Sequence, residues 1–146
     1  MKSYLFRWLP LLFTMVFIFA ASMNHNPYLV LPAILRQFTI IVGKTSFGEV
    51  ELFGKPGHII EFALLGFTAL RALIWKRKFT IKLIIITLLA CELYALSDEI
   101  HQIFVPGRAF DIPDLFIDGA GILIGLLIYW FYTRSLRLKK DGKIAG

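Results

Sequence analysis

Residues 113–132 read PDLFIDGAGILIGLLIYWFY, and this stretch decides the fold class. The hydrocarbon core of a bilayer is about 30 Å thick and takes roughly 20 helical residues to cross. The stretch has that length, and its two charged residues, Asp114 and Asp118, both fall within its first six positions. A basic sequence, TRSLRLKK at residues 133–140, follows it directly. We therefore predict a transmembrane helix that begins acidic and ends basic.

Three further apolar runs indicate that the chain crosses the membrane about four times. They lie at residues 8–23, 57–75 and 79–97. The 146 residues are 58% hydrophobic and have a mean hydropathy of +0.71, whereas soluble proteins are roughly 45–50% apolar. We predict an all-α integral membrane protein with a single domain over residues 1–146. Its transmembrane helices form a compact bundle.

The first apolar run, at residues 8–23, has two interpretations. It is short and follows Lys2 and Arg7, as expected either of a cleaved signal peptide or of a retained first helix. We favour the retained helix. Residues 31–42 are too few to span a bilayer, so we predict a short helix at the membrane interface there.

Basic residues predict the orientation of the bundle. They are concentrated at the N-terminus, in the tight connection 76–78 and in the tail after residue 133. Since cytoplasmic segments carry the excess of Lys and Arg, we predict that both termini are cytoplasmic. This bias accounts for the net charge of +6, so we predict no nucleic-acid partner. The single cysteine, Cys91, excludes an internal disulfide.

Ionisable residues gather at the opposite, non-cytoplasmic ends of the last three predicted spans. Lys55, His58 and Glu61 follow one another at intervals of three, which places them on one face at the start of a helix. A charged side chain at the bilayer centre costs about 2.5–3.5 kcal/mol. Such residues therefore persist where they face a bundle interior, a partner or a water-filled cavity.

The second polar group follows the third span, in the sequence SDEIHQIFVPGR at residues 97–108. It contains Asp98, Glu99 and Gln102, and its Pro-Gly turn lets Arg108 fold back toward the carboxylates. We expect His101, in the same segment, to face water.

The third polar group forms a stripe on the fourth span. Asp111, Asp114, Asp118, Gly121 and Gly125 are separated by three, four, three and four residues, which keeps them on one helix face. The Gly-x-x-x-Gly pair allows another helix to approach closely. That helix could belong to the same chain or to a second copy. The sequence therefore leaves open whether the protein forms an oligomer through Gly121 and Gly125.

Topology alone brings the three groups to one membrane face, and two interpretations follow. Carboxylates this close together need partners if they are to stay ionised, and Arg108, Lys55 or a cation would provide them. We predict an outward-facing polar pocket. The alternative is an ion-pair network that only fixes the register of the helices.

At these residues the sequence resembles the VanZ-like family. The resemblance covers about residues 54–125 and rests on K-x-x-H at Lys55 and His58, followed by the pattern D-E-x-x-Q…P-G-R…D-x-x-x-[ND]-x-x-G. Position 62 is Phe where the family often has Tyr, and position 118 is Asp where Asn is common. The resemblance implies a small multi-pass protein of the bacterial cytoplasmic membrane. Its founding member is linked to low-level resistance to the glycopeptide teicoplanin, which implies a contribution to such resistance here.

Three functions remain open at this stage. The first is recognition or modification of an envelope component in the bilayer, such as an anionic lipid head group or a cell-wall precursor. The residues predicted to bind this ligand are Lys55, His58, Glu61, Glu99, Gln102, Arg108, Asp114 and Asp118.

The alternative function is a metal-dependent enzyme embedded in the membrane, acting on a lipid-linked phosphate or sugar. A divalent cation would be its cofactor, and carboxylates suit such ions. Its candidate catalytic residues are His58, Glu61, Asp98 and Glu99, and its candidate metal ligands are Glu99, Asp114 and Asp118, with Asp98 and His58 as further donors. A proton pathway is the weakest prediction, because the inner halves of the last two spans are almost wholly apolar.

Overall fold

The computed structural model of the protein describes residues 2–23, 55–74, 79–106 and 110–144, and these form four α-helices. The helices are α1 (Lys2–Ser22), α2 (Lys55–Ile74), α3 (Ile81–Gln102) and α4 (Ile112–Ile144). The prediction of an all-helical chain is confirmed. The interfacial helix predicted at residues 31–42 lies outside the described residues.

Three of the described helices are long and apolar enough to cross a membrane, so the chain is a multi-pass membrane protein. The three segments are Leu5–Ser22, Gly57–Ile74 and Ile112–Leu138. The predicted span at residues 79–97 overlaps α3, which also carries Lys82, Glu92 and two acids close to its end. α3 is not one of the three segments, so a fourth crossing stays a prediction.

Two helices extend beyond the predicted spans. α4 runs to residue 144 rather than 132, because the Lys-, Arg- and Leu-rich tail consists of good helix formers. α3 begins after Thr80, whose hydroxyl accepts a hydrogen bond from the backbone N–H of Leu83 at 3.4 Å and caps the helix. It continues through the acidic segment to Gln102.

The helices run antiparallel, so the bundle has two chemically different ends. At one, which we call the polar end, α1 and α3 finish while α2 and α4 begin. At the other, the basic end, the Arg7 side chain donates a hydrogen bond to the backbone carbonyl of Ala72 near the end of α2. A cation there is favourable because the last carbonyls of a helix carry partial negative charge. Midway, the Tyr94 hydroxyl of α3 donates to the Met15 carbonyl of α1 at 2.6 Å.

The core between these ends is apolar and is centred on α2. Its largest buried apolar side chains belong to α1, α2 and α4 and are Ile18, Phe62, Leu65, Leu70 and Ile122. α3 contributes the small side chains of Cys91 and Ala95. Large apolar side chains are exposed around the outside of all four helices, as expected of surfaces that contact lipid.

α2 and α4 approach each other so closely that their backbones are in contact. A Cβ atom at Gly121 would lie 2.7 Å from the carbonyl oxygen of Ile59, and one at Gly125 would overlap the carbonyl of Ala63. Reciprocally, a Cβ at Gly66 on α2 would lie 2.5 Å from the carbonyl oxygen of Ile122. The Gly-x-x-x-Gly face is thus occupied by a helix of the same chain. It does not offer the contact surface that an oligomer through these glycines would need.

We predict that Gly125→Ala destabilises the bundle, because its new methyl group meets backbone that cannot move aside. Overpacking of this kind costs about 1–3 kcal/mol, against a gain in helix propensity of about 1 kcal/mol. The measurement is thermal unfolding in detergent followed by circular dichroism.

Gly119→Ala is the matched control on the same helix. Its nearest neighbour would be Oε1 of Glu92 at 2.6 Å, the far end of a flexible side chain that can move. We expect this variant to melt at or above the wild-type temperature. Equal melting temperatures for the two variants would contradict the close approach of α2 and α4.

Candidate functional site

Three helices contribute one residue each to the centre of the polar end. His58 lies in the first turn of α2, Glu99 in the last turn of α3 and Asp118 in the second turn of α4. Nδ1 of His58 and Oδ1 of Asp118 are 2.9 Å apart, which is a hydrogen bond or, with a protonated ring, an ion pair. The Asp118 side chain is completely buried and that of His58 is only 13% exposed. We call these three residues the polar trio.

The donor atoms of the polar trio converge on a small volume. One atom from each side chain, a ring nitrogen or a carboxylate oxygen, lies within 4.8 Å of the other two. Metal–ligand distances are about 2.0–2.6 Å, so two donors of one ion can be separated by at most roughly 5 Å. The spacing is therefore compatible with a single metal ion.

Glu99 also organises the start of α4. Its Oε2 accepts a hydrogen bond of 2.9 Å from the backbone N–H of Asp111, immediately before that helix begins. A carboxylate at a helix N-terminus is favourable because the first N–H groups have no partner within the helix and carry partial positive charge. This bond closes the connection between α3 and α4, and the Glu99 side chain is wholly buried behind it.

Asp98 forms a separate contact on the neighbouring face of α3. The side-chain amide of Gln102, one turn later, donates to its Oδ2 at 3.0 Å, and both residues are buried. The bond shows that these two residues, four apart in the sequence, share one face of α3.

Several carboxylate oxygens at the polar end remain unsatisfied. Within the part of the chain that the structure describes, no hydrogen bond reaches Oδ1 of Asp98, Oε1 of Glu99 or Oδ2 of Asp118, and all three atoms are buried. Burying a polar oxygen without a partner costs roughly 1–3 kcal/mol, and more if it is charged. The site therefore has unused capacity for hydrogen-bond donors or a cation.

The structure describes only some of the other residues that the sequence predicted to belong to the site. Glu61 and Asp114 are half-buried, each has an interaction partner, and both act electrostatically on the imidazole of His58. Lys55 begins α2, but its side chain lies outside the described residues, as does the whole of Arg108. The predicted approach of Arg108 to the carboxylates therefore stays a prediction.

α1 also contributes to this end of the bundle, which the sequence did not predict. His101 is half-buried instead of fully facing water, with its Nδ1 3.4 Å from the hydroxyl oxygen of Ser22. Its ring centroid is also 4.4 Å from that of Phe19. The one sequence feature that could have indicated this contact is Ser22, a polar residue at the end of the first apolar run. Nothing in the sequence relates Ser22 to His101.

A cavity of about 280 Å³ lies at the basic end, away from the polar trio. It is lined by Phe79, Trp130, Thr133, Arg134 and Arg137. The guanidinium of Arg134 lies 5.4 Å from the centroid of the Trp130 ring. Aromatic and basic side chains are commonly paired where a helix leaves the bilayer, so we assign this region to the membrane interface.

The comparison with known proteins identifies the family. No curated protein and no solved structure matches the chain. The family model for VanZ/LLP1 matches residues 3–133, which includes all three helix ends that form the polar trio. The match confirms the resemblance drawn from the polar motifs and extends it over nearly the whole sequence, and the chain therefore belongs to the VanZ/LLP1 family.

Proposed function

We propose that this VanZ/LLP1 family protein binds or modifies a component of the bacterial cell envelope at the non-cytoplasmic face of the cytoplasmic membrane. The polar end of the bundle would be the binding site. The observation that carries the proposal is the set of buried carboxylate oxygens of Asp98, Glu99 and Asp118 that no described residue satisfies.

The charge distribution supports the proposed orientation. Arg7, Arg71 and Lys82 belong to the basic end, as do Arg134 and Arg137 of α4. Membrane proteins keep such residues on the cytoplasmic side. The polar trio would then face the outside, where cell-wall precursors and lipid head groups are accessible.

The chemistry of the site favours a ligand that is rich in hydrogen-bond donors. Ionised carboxylates only accept hydrogen bonds, so sugar hydroxyls and amines suit the unsatisfied oxygens. A phosphate would need the positive charge that the sequence analysis assigned to Lys55 and Arg108, or a bound cation. Lipid-linked cell-wall precursors combine all of these groups in one head group.

The register-fixing alternative explains less of the geometry. An ion-pair network that served only to align helices would have its acceptors occupied, because unsatisfied buried oxygens destabilise the fold. The pair between His58 and Asp118 holds α2 against α4, but Oδ2 of Asp118 and Oε1 of Glu99 are left over among the described residues.

The described core gives no support to a proton pathway. Between the two ends lie apolar side chains, and the hydroxyls of Thr14, Thr68 and Thr87 each donate to a carbonyl of their own helix. No continuous polar route joins the trio to the basic end within the residues that the structure covers.

We predict that the polar end is accessible from outside the cell. In a Cys91→Ala background, Phe104→Cys should react with a membrane-impermeant maleimide in intact cells, because Phe104 is 78% exposed next to the polar end. Leu138→Cys, at a residue 64% exposed near the basic end, should react only after permeabilisation. Labelling of Leu138→Cys alone in intact cells would reverse the orientation and remove the proposal.

We predict that the polar end binds a lipid-linked peptidoglycan precursor. Native mass spectrometry of the protein in nanodiscs with added precursor should show a bound molecule. Glu99→Gln and Asp118→Asn should each weaken binding at least about tenfold, because a hydrogen bond to a charged group contributes about 1.5–3 kcal/mol.

Glu92→Gln is the matched control for this experiment. It removes a half-buried carboxylate of α3 that is not one of the three with unsatisfied oxygens, so binding should be retained. Equal loss in all three variants would mean that the precursor responds only to overall charge, which would contradict a specific site.

We also propose a contribution to glycopeptide resistance, which rests on the family. Expression of the wild-type chain in a susceptible Gram-positive host should raise the inhibitory concentration of teicoplanin modestly. Asp118→Asn, produced at the same level, should not. If the wild-type chain leaves the inhibitory concentration unchanged, the protein does not contribute to teicoplanin resistance. The proposal that the polar end binds a precursor would still be tested by the binding measurement.

A further inference from the structure

The polar trio has the composition of a metal site that links three helices. It offers one imidazole and two carboxylates, with one donor atom from each residue within 4.8 Å of the others. The residues come from α2, α3 and α4, so no local sequence motif defines the site.

The protein itself leaves two of the carboxylate oxygens of the trio unused. Oε2 of Glu99 is occupied by the Asp111 backbone, whereas its Oε1 has no partner in the described chain. Oδ2 of Asp118 is likewise unpaired there, while Oδ1 of the same carboxylate lies 2.9 Å from Nδ1 of His58. Each carboxylate therefore has one oxygen that holds the site together and one that is available to a cation. A neutral imidazole keeps a lone pair on one of its two nitrogens and can supply the third ligand.

The charge balance points in the same direction. Glu99 and Asp118 are both 0% exposed, so two ionised carboxylates would place two negative charges in a region of low dielectric constant. A protonated His58 would compensate only one of them. A divalent cation compensates both while the imidazole stays neutral, which is the form in which it binds metals.

The donor set selects among divalent ions. Mg²⁺ and Ca²⁺ prefer sites made of oxygen alone, whereas imidazole nitrogen suits Zn²⁺ and other first-row transition metals. Three protein ligands also leave at least one coordination position of Zn²⁺ open for water or another ligand.

We propose that His58, Glu99 and Asp118 together bind one divalent first-row transition-metal ion, with Zn²⁺ as the preferred ion. The site joins α2, α3 and α4 at the polar end. This inference concerns the ion alone and does not depend on the envelope ligand proposed above. Of the donors expected from the sequence it keeps Glu99 and Asp118 and includes His58, which was named there only as a further donor, in the place of Asp114.

The test uses the full-length protein purified in detergent, stripped with a chelator and dialysed against Zn²⁺, Mn²⁺ or Mg²⁺. We expect about one Zn²⁺ per chain by elemental mass spectrometry, and little retained Mg²⁺. Titration calorimetry with Zn²⁺ should show that His58→Gln, Glu99→Gln and Asp118→Asn each weaken binding at least about 100-fold. Even the loss of a residue that only hydrogen-bonds to a metal ligand typically costs about 10–100-fold in affinity.

Thermal unfolding with and without Zn²⁺ separates metal binding from a structural role. An ion that binds only the folded state raises the melting temperature. The wild type and the Glu92→Gln control should both show this rise, whereas the three trio variants should not. The stripped trio variants should still fold, because Glu99→Gln and Asp118→Asn replace a buried carboxylate with an amide of nearly the same size. His58→Gln keeps a side chain that can donate a hydrogen bond toward Asp118.

Two results would overturn the proposal. One is a wild-type protein that retains no transition metal after dialysis and melts at the same temperature with and without Zn²⁺. The other is a Glu92→Gln variant that loses as much Zn²⁺ affinity as Glu99→Gln, which would reveal non-specific attraction to the acidic end.

Discussion

The contact between the backbones of α2 and α4 positions the polar end. Gly121 lies one turn beyond Asp118, and its Cα faces the carbonyl of Ile59, the residue that follows His58. Because nothing larger than a hydrogen atom separates the helices there, the imidazole and the carboxylate can meet at 2.9 Å. A larger residue at the contact would push the helices apart and lengthen that bond first.

This arrangement also explains how a membrane bundle can hold so many acids. Apart from Glu92, midway along α3, the described carboxylates lie toward the helix ends, where backbone N–H groups at the start of α4 are available as donors. Glu99 uses one of them through Asp111, and Asp98 uses the amide of Gln102. The remaining unpaired oxygens are few enough for one bound cation or one polar head group to satisfy them.

Much of the fold follows from the sequence, because hydrophobic length is a strong constraint in a bilayer. The apolar runs located all four helices, and intervals of three and four residues correctly grouped Asp118 with Gly121 and Gly125. Intervals show which residues share a face but not which helix that face meets. The structure was therefore needed to show that His58 pairs with Asp118 and not with another carboxylate of the polar end. It was also needed to show that the partner of the glycines is α2 and not a second copy of the chain.

The contacts that sequence reasoning missed have a common physical origin. The donor to Glu99 is a backbone N–H, which every residue except proline carries, so no residue type identifies it. The neighbours of His101 come from α1, which is separated from it by 79 positions in the case of Ser22. Neither interaction can be recognised from a periodic pattern in the sequence.

The short uncharged middle of α4 has a consequence for how the protein sits in different membranes. Between Asp118 and Arg134 the helix has 15 uncharged residues, 119–133, which correspond to about 22 Å of helix. This is shorter than the roughly 30 Å of a typical hydrocarbon core, and such mismatch is relieved by thinning of the bilayer or by extension of the flanking side chains toward water. The depth of Asp118 below the head groups would then vary with the thickness of the bilayer.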